Sequence, residues 1–417
     1  MVRAFLGLLA LPCLASASSF THPGVIVGAA DLARIRAAVA ARREPEWSAF
    51  NAAANSTTFA YGGLPPFQAG QLNYTAHPHT RLLANGSGIT AMREDATAAY
   101  TQGLLFAGDG DVRRCALSRA IMDGWANSPP ERANWTGVGL QNGLQVAWGA
   151  SLWPRAAEIA AHYCPGEWAG SAAFGRWMVR ELLPQVDEGA STNGNIGLVM
   201  TEAAAGIAVF TENASLWNAS LARWRAQAPA YVYLRSDGAA PRPPPLQRYL
   251  AHTGPVCDPS CSPAAMVSYW HGQAVYGVRD GLCQETCRDL GHVQLGYATL
   301  VNTAETAWQQ GVDLYGEAQA RLIAGAELHA SLLAAEPAPF HQPVVPLDVC
   351  GGHVRGSDPK GQTKPTGTWS MLARHFVLRR GLRHVMPNVS ALVPLMAGAC
   401  WDQMCWEILT HSFVPPE

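Results

Sequence analysis

Apolar residues recur along most of the chain at spacings of three and four, the period of helices that bury one face, and strand-like alternation is nearly absent. Asp31 stands where an N-cap would, ahead of an inner stripe of Leu32, Ile35 and Val39. The pattern predicts a second helix over 92–106, stopped by Gly108-Asp109-Gly110, and a third capped by Asp111 that turns Val112, Cys115, Ile121 and Trp125 inward. Further helices fit 140–148, 174–183 and 197–210, then 284–308, 318–333, 369–378 and 391–396. Between them, from residue 228 on, lies an irregular span with Tyr231-Val232-Tyr233-Leu234, Ser236-Asp237-Gly238 and Pro241-Arg242-Pro243-Pro244-Pro245. A long non-helical excursion inside a compact fold is often functional. A second loop, 337–368, is rich in Pro, Gly and His. No composition shift marks a domain boundary. Hairpin after hairpin of helices in one long domain predicts an all-α closed ring, an (α/α) toroid, because a ring keeps a single core at a length where simpler bundles split.

The composition narrows the class of partner. Of the 417 residues, 48% are hydrophobic and 14% charged, enough apolar material for a large core and too little charge for a disordered polyelectrolyte. A formal charge of −2, from 29 basic and 31 acidic residues, lacks the footprint of a general nucleic-acid binder. Lys360 and Lys364 are the only lysines, so cationic contacts fall to planar guanidinium forks suited to carboxylates.

Residues 1–17 carry Arg3, the apolar run 4–11 and Ala15-Ser16-Ala17, the form of a cleaved secretion signal, which leaves 18–417 as the toroid domain. The run is too short to span a bilayer, and no later stretch offers the roughly 18 uninterrupted apolar residues that a membrane helix needs. The mature chain is therefore expected to be soluble and exported. Seven Asn-x-Ser/Thr triplets, at Asn55, Asn73, Asn85, Asn134, Asn213, Asn218 and Asn388, agree with a eukaryotic secretory route and surface glycans. Without Cys13, nine cysteines remain, so at least one thiol is unpaired. Cys257/Cys261 and Cys283/Cys287 have zinc-compatible spacing, but an oxidising compartment favours disulfides, whose connectivity the sequence leaves open.

The densest polar constellation is Gln284-Glu285-Thr286-Cys287-Arg288-Asp289-Leu290-Gly291-His292. On a helix, Glu285, Arg288 or Asp289, and His292 share one face, which then carries an acid, a cation and an imidazole. Spacing alone favours a solvated face laced with salt bridges. The apolar, aromatic flank with Tyr297, Trp308 and Gly311-Val312-Asp313-Leu314-Tyr315 favours chemistry. Ser191-Thr192-Asn193-Gly194-Asn195 opens an apolar helix and either presents amides to an anion or is an ordinary capping turn. Tyr231 and Tyr233 with Arg235 either stack on sugar rings and exchange protons or simply pack. Arg374-His375 follows Thr366-Gly367-Thr368-Trp369, with a histidine that reads as structural, and His77 and His79 read as non-ligands. No phosphate-binding Gly-Lys-Ser/Thr loop, His-Glu-x-x-His or Gly-x-Ser-x-Gly motif occurs, which leaves nucleotide hydrolysis, zincin proteolysis and hydrolase-fold esterase chemistry without support.

Five segments together, Thr21-His22-Pro23-Gly24-Val25, Thr192 to Asn195, Tyr231 to Gly238, Glu285-x-x-Arg288-Asp289-x-x-His292 and Gln310 to Tyr315, resemble the alginate-lyase-like polysaccharide lyases. The likeness is to secreted fungal members of the chondroitin AC/alginate lyase superfamily, and it covers most of the mature chain. It implies a toroid whose groove cleaves a uronate polysaccharide by β-elimination. The C5 proton beside a sugar carboxylate is poorly acidic until that carboxylate is neutralised. The resemblance assigns neutralisation to Asn195 with Asn193, and the base to His292. The catalytic tyrosine is Tyr297 or Tyr233, its phenolate steadied by Arg288, while Glu285, Arg235 and His375 bind substrate. Several alginate lyases carry adjacent Asn and His in the neutralising motif. Here the turn reads Asn-Gly-Asn, so His292 or His375 must substitute, or the histidine is dispensable. Tyr297 stands about 140° round an ideal helix from His292, and the two share a groove only if the helix ends or bends between them. The expected partner is an anionic polysaccharide met by a monomer, with no nucleic acid, membrane, metal or cofactor. Two other functions fit the same residues: a glycoside hydrolase on the toroid using Glu285 with Asp289 or Asp237, and an inactive acidic-glycan-binding protein.

Overall fold

Four long helices are buried almost all round, and shorter amphipathic ones cover them. The computed structural model describes residues 20–55, 68–77, 86–128, 140–189, 192–245, 262–334, 343–345, 347–350, 354–355, 365–393 and 400–414. A two-stranded strap, β1 (Gly24–Val25) and β2 (Val27–Gly28), leads into α1 (Ala29–Ala40) and α2 (Glu46–Asn55). Then come α3 (Ile89–Asp109), α4 (Val112–Ala126), α5 (Leu140–His162), α6 (Ser171–Trp177), α7 (Leu183–Gly189), α8 (Gly194–Phe210) and α9 (Ala214–Tyr231). After the irregular span follow α10 (Pro263–Tyr269), α11 (Leu290–Gln309), α12 (Leu314–Glu317), α13 (Gln319–Ala334), α14 (Thr368–Ala373), α15 (Pro387–Leu392) and α16 (Glu407–Thr410). Two further ribbons pair β3 (Pro343–Val345) with β4 (Val354–Arg355) and β5 (Cys400–Trp401) with β6 (Met404–Cys405).

Helix α3 packs on α5, α5 on α8, and α8 on α11, which forms the inner wall. Around it, α1 and α4 lie on α3, α7 and α9 on α8, and α14 on α11. A helix buried on all sides must be apolar or internally hydrogen-bonded, and α8 is both, with a stretch Ala203-Ala204-Ala205-Gly206-Ile207. Gly206 lets α5 approach: a Cβ there would lie 2.7 Å from Pro154 Cγ. The architecture is an (α/α) toroid in a single domain, as the periodicity predicts. Among the described residues no helix is long and apolar enough to cross a membrane.

Several boundaries differ from the sequence reading, each for a local reason. Asp31 is the third residue of α1, where its carboxylate accepts from the N–H of the N-cap, Gly28, at 3.2 Å. Asp111 does cap α4, but Val112 faces solvent at 58% exposure while Cys115, Ile121 and Trp125 are buried. Helix α5 continues past 148 to His162 through Pro154, and the 174–183 helix passes through a π-helical stretch at Met178–Leu182. Residues 214–228, assigned no element from sequence, belong to α9, capped by Asn213 accepting from Leu216 N–H at 3.0 Å. The 284–308 helix begins only at Leu290, because Asp289 caps it and 284–288 form turns. The 391–396 helix is instead α15, and 394–396 lie outside the described residues.

Disulfides join Cys115 to Cys164, Cys287 to Cys350 and Cys400 to Cys405. Cys283 is therefore not the partner of Cys287; it is a buried free thiol. Cys257 and Cys261 lie outside the described residues.

The C-terminal segment from Cys400 on docks against the inner wall through polar contacts. Trp406 Nε1 donates to Thr101 Oγ1 at 2.8 Å, Arg93 Nε donates to Asp402 at 3.1 Å, and Asn302 Nδ2 donates to the Gln403 carbonyl at 3.1 Å. Arg155 pairs with Glu202 nearby. Burial pushes Glu202 and Glu407 up to about 7. A carboxyl whose folded pKa is raised holds its proton while the unfolded chain releases it, so its contribution turns unfavourable as pH rises from ordinary glutamate values toward 7. Glu407→Gln retains an acceptor for Cys405 N–H, bound at 2.6 Å, and removes that penalty. Its melting temperature is expected to exceed that of the wild type at pH 8 and to match it near pH 4, read by parallel thermal melts.

Candidate active site

The site forms where the first turn of α8 meets the turns that precede α11. Gly194 opens α8 at a φ of +62°, and a Cβ there would sit 2.6 Å from Gln284 Oε1, so the position needs both the left-handed conformation and the missing side chain. That approach places Asn195, 5% exposed, with its Nδ2 donating to Glu285 Oε1 at 2.8 Å. A second alignment comes from the end of α9. Tyr233 N–H donates to the Leu282 carbonyl and Gln284 N–H to the Tyr231 carbonyl, both at 2.8 Å. This short antiparallel pairing brings the Tyr231 hydroxyl to Glu285 Oε2 at 3.1 Å. Arg288 Nη1 completes the set, donating to Glu285 Oε1 at 3.1 Å while its side chain stays 40% exposed. Glu285 itself is 2% exposed, and burial holds its carboxyl above the ordinary value against the nearby charges of His292 and Arg288.

Asp289 and His292 form a second unit one turn on. Asp289 Oδ1 accepts from the His292 backbone N–H at 2.8 Å, and Oδ2 lies 2.7 Å from His292 Nδ1. Burial pushes the Asp289 carboxyl up, but the His292 hydrogen bonds and the charges of His292 and Arg288 outweigh it and hold it below the usual aspartate value. An ionised carboxylate only accepts, so Nδ1 carries the proton and Nε2 is left as the lone-pair nitrogen when the ring is neutral. His271, in a left-handed turn after α10 with φ 51°, adds a second imidazole, its Nε2 3.4 Å from Gln284 Nε2. The residue is exposed, yet the protein packed against it and the positive charges of Arg288 and His292 lower its pKa to about 4. The arrangement therefore presents an amide, a guanidinium and neutral imidazole nitrogen together, a set that can bind a carboxylate and accept a proton.

Solved structures similar to this chain share that architecture. Alginate lyase A1-III from Sphingomonas species A1 matches with a TM-score of 0.54 and 15% identity, covering 96% of this chain and 98% of that one. A histidine-to-alanine variant of A1-III complexed with tetrasaccharide matches with a TM-score of 0.55 and 16% identity over 96% of each chain. An alginate lyase from Bacteroides ovatus matches with a TM-score of 0.52 and 10% identity over 94% of this chain and all of that one. This chain has the alginate-lyase-like fold. At such identities the likeness is one of fold alone. No protein-family model matches the chain, and neither does any curated protein sequence.

Within the alginate-lyase-like fold, Asn195, Glu285, Arg288 and His292 come together, although not on one helical face: Glu285 and Arg288 precede α11. Asn193, the N-cap of α8, lies beside them, lining a recess with Gln227 and Tyr269; its Oδ1 is buried without a hydrogen-bond partner. The other expected residues go elsewhere. Tyr297 is fully buried, donates to the Leu322 carbonyl at 2.8 Å and stacks on Trp369 at 5.4 Å, because it faces α13 rather than the His292 side of α11. Tyr233 donates to the Gly238 carbonyl at 2.6 Å, which ties its hydroxyl into the neighbouring turn. Arg235 is exposed and paired with Asp280, its Nε 3.1 Å from Oδ2. His375 is buried against Tyr315, with ring centroids 3.8 Å apart, and burial lowers its pKa to about 4; it substitutes for nothing at this site.

Sequence reasoning missed His271 and chose Tyr233 over Tyr231. His271 follows Tyr269-Trp270 with no spacing that ties it to residue 288. The Tyr231 role depends on the pairing with 282–284, which no local pattern announces. Gly194→Ala is expected to destabilise the protein by about 1–3 kcal/mol, the usual cost of a side chain in a strained left-handed position. Chemical denaturation measures it, and an unchanged midpoint would remove the constraint assigned to this turn.

Proposed function

We propose that this protein is a secreted polysaccharide lyase that cleaves a uronate-containing polysaccharide of the alginate or glucuronan type by β-elimination. The convergence of Asn195, Arg288 and the Asp289–His292 pair around one buried carboxylate carries the reading. Arg288 and the second hydrogen of the Asn195 amide neutralise the sugar carboxylate, which acidifies the C5–H bond beside it. His292 Nε2 takes the C5 proton. The C5 electron pair becomes the C4=C5 double bond, the C4–O4 bond breaks, and the new His292 Nε2–H protonates the departing O4. A single imidazole serving twice suits a site in which the Tyr231 hydroxyl is committed to Glu285. His271, neutral at physiological pH, stands in for the histidine that the Asn-Gly-Asn turn lacks.

Export fits the same reading. The N-terminal signal-like segment, three disulfides among the described residues and the exposure of Asn55, Asn73, Asn213, Asn218 and Asn388 support a secreted, glycosylated protein. Asn85 and Asn134 lie outside the described residues. The hydrolase alternative loses its carboxylates: Glu285 is buried under three donors, Asp289 is bound by His292, and Asp237 accepts from Arg321 and Arg242.

Incubation of the secreted protein with polymannuronate, polyguluronate and glucuronan is expected to release ultraviolet-absorbing unsaturated uronate ends from at least one polymer. His292→Ala and Arg288→Ala should each lower that turnover by about 10²–10⁴-fold, the first at an unchanged melting temperature and the second with a lowered one, because it takes a donor from buried Glu285. Saturated products would make the protein a hydrolase, and tight binding of the polymers without any product would make it a glycan-binding protein. Full activity in both variants would move the chemistry to other residues.

A further inference from the structure

A second polar cluster sits where the N-terminal strap crosses the last turns of α5, and nothing in it takes part in the proposed elimination. The strap is held at both sides. Gln310 bonds the Thr21 N–H at 2.9 Å and the Thr21 and Gly24 carbonyls at 2.9 and 3.0 Å, while Gly24 N–H donates to Glu158 Oε2 at 2.8 Å. The strap thereby lays His22 against α5. Glu158 and His162 are one helical turn apart on α5, so their side chains share a face.

Both imidazoles face the Glu158 carboxylate, with His22 Nδ1 3.0 Å from either of its oxygens. His162 Nε2 is 3.9 Å from Glu158 Oε1. All three ligand atoms lie within 4.8 Å of one another. The two imidazole rings stack at 4.4 Å, 17° from parallel, so both histidines lie together on one side of the cleft floor. Zinc bonds of about 2.0–2.1 Å in a tetrahedron put ligand atoms roughly 3.3 Å apart, between the two observed separations. An ion pair between His22 and Glu158 explains the first contact but not the second, since 3.9 Å is too long for a hydrogen bond.

The surroundings fit a cation. Glu158 is fully buried and needs a positive partner, which a metal ion supplies in place of a proton on His22. Glu212 Oε1 lies 3.4 Å from His22 Nε2, the position of the outer carboxylate that orients a metal-bound imidazole. The cluster opens into a cleft lined by Trp168, Arg176 and Phe210, which gives an ion a path in and leaves a coordination position for water. A donor set of two imidazoles and one carboxylate suits zinc-like ions rather than magnesium or calcium, which take oxygen ligands. The one comparable cluster among the described residues, Asp31, Glu305 and His411, is already neutralised by Arg379, which donates twice to Glu305 at 2.8 Å.

We propose that His22, Glu158 and His162 bind one divalent transition-metal ion of the zinc class, with Glu212 orienting His22, and that the ion fastens the strap to α5. Protein stripped with EDTA is titrated calorimetrically with zinc chloride, with magnesium chloride as control. One zinc per chain is expected, with no saturable magnesium binding, and zinc should raise the melting temperature. His162→Ala, at a position 37% exposed, should melt like the wild type in EDTA, bind zinc at least about tenfold more weakly and lose the thermal shift. Glu212→Gln, on an exposed side chain, should weaken zinc binding by a smaller factor with the same stoichiometry. Absence of one-to-one binding in the wild type, or zinc affinity unchanged in both His162→Ala and His22→Gln, overturns the assignment.

Discussion

A carboxylate taken out of water must be given donors, and Glu285 imposes that requirement on three separate parts of the chain. Its two oxygens draw in an amide from the start of α8, a phenol from the end of α9 and a guanidinium from the turn before α11. Removing one hydrogen-bond donor from a buried polar group typically costs about 1–3 kcal/mol. The helices are thus pinned by an interaction whose outer partners, Arg288 above all, still reach solvent. The carboxylate that orders the turns also positions the Arg288 guanidinium and the Asn195 amide.

The scaffold explains why such an expensive arrangement is tolerated. Helices α3, α5, α8 and α11 pack as a wall with hardly any exposed surface, and close approaches such as Gly206 against Pro154 leave little freedom for one helix to slide on another. Helix termini, in contrast, need partners for their free N–H groups. In this toroid the two N-termini that meet, those of α8 and α11, carry the polar residues of the site. Asp289 satisfies one of them as an N-cap and at the same time fixes the tautomer of His292, so one side chain both starts a helix and orients an imidazole.

The same logic operates at the strap. Glu158, buried on α5, accepts from the Gly24 backbone and faces His22, so charge and hydrogen bonds hold the N-terminal segment alongside the burial of Val25, Ile26 and Val27. The C-terminal segment is held similarly by Arg93 with Asp402 and by Asn302 with Gln403. Both ends of the described chain therefore lock onto inner helices through buried polar contacts.

Amphipathic period, capping residues and turn glycines made the all-α toroid legible without coordinates, because helices are local and each stripe of Leu, Ile, Val and Trp announces its own buried face. The Asp111 cap, the Gly110 stop and the helix after Gly194 needed nothing beyond neighbouring residues. Local pattern misjudged 284–288, where helical spacing is present but the long-range pairing with 231–233 and the cap at Asp289 hold the chain in turns. It missed His271 and Tyr231 for the same reason. Which tyrosine reaches the carboxylate, and whether His375 lies in a groove or in the core, depends on contacts between segments tens of residues apart. Those contacts are set by how the helices pack, and a one-dimensional pattern records which residues want to be buried but not against whom.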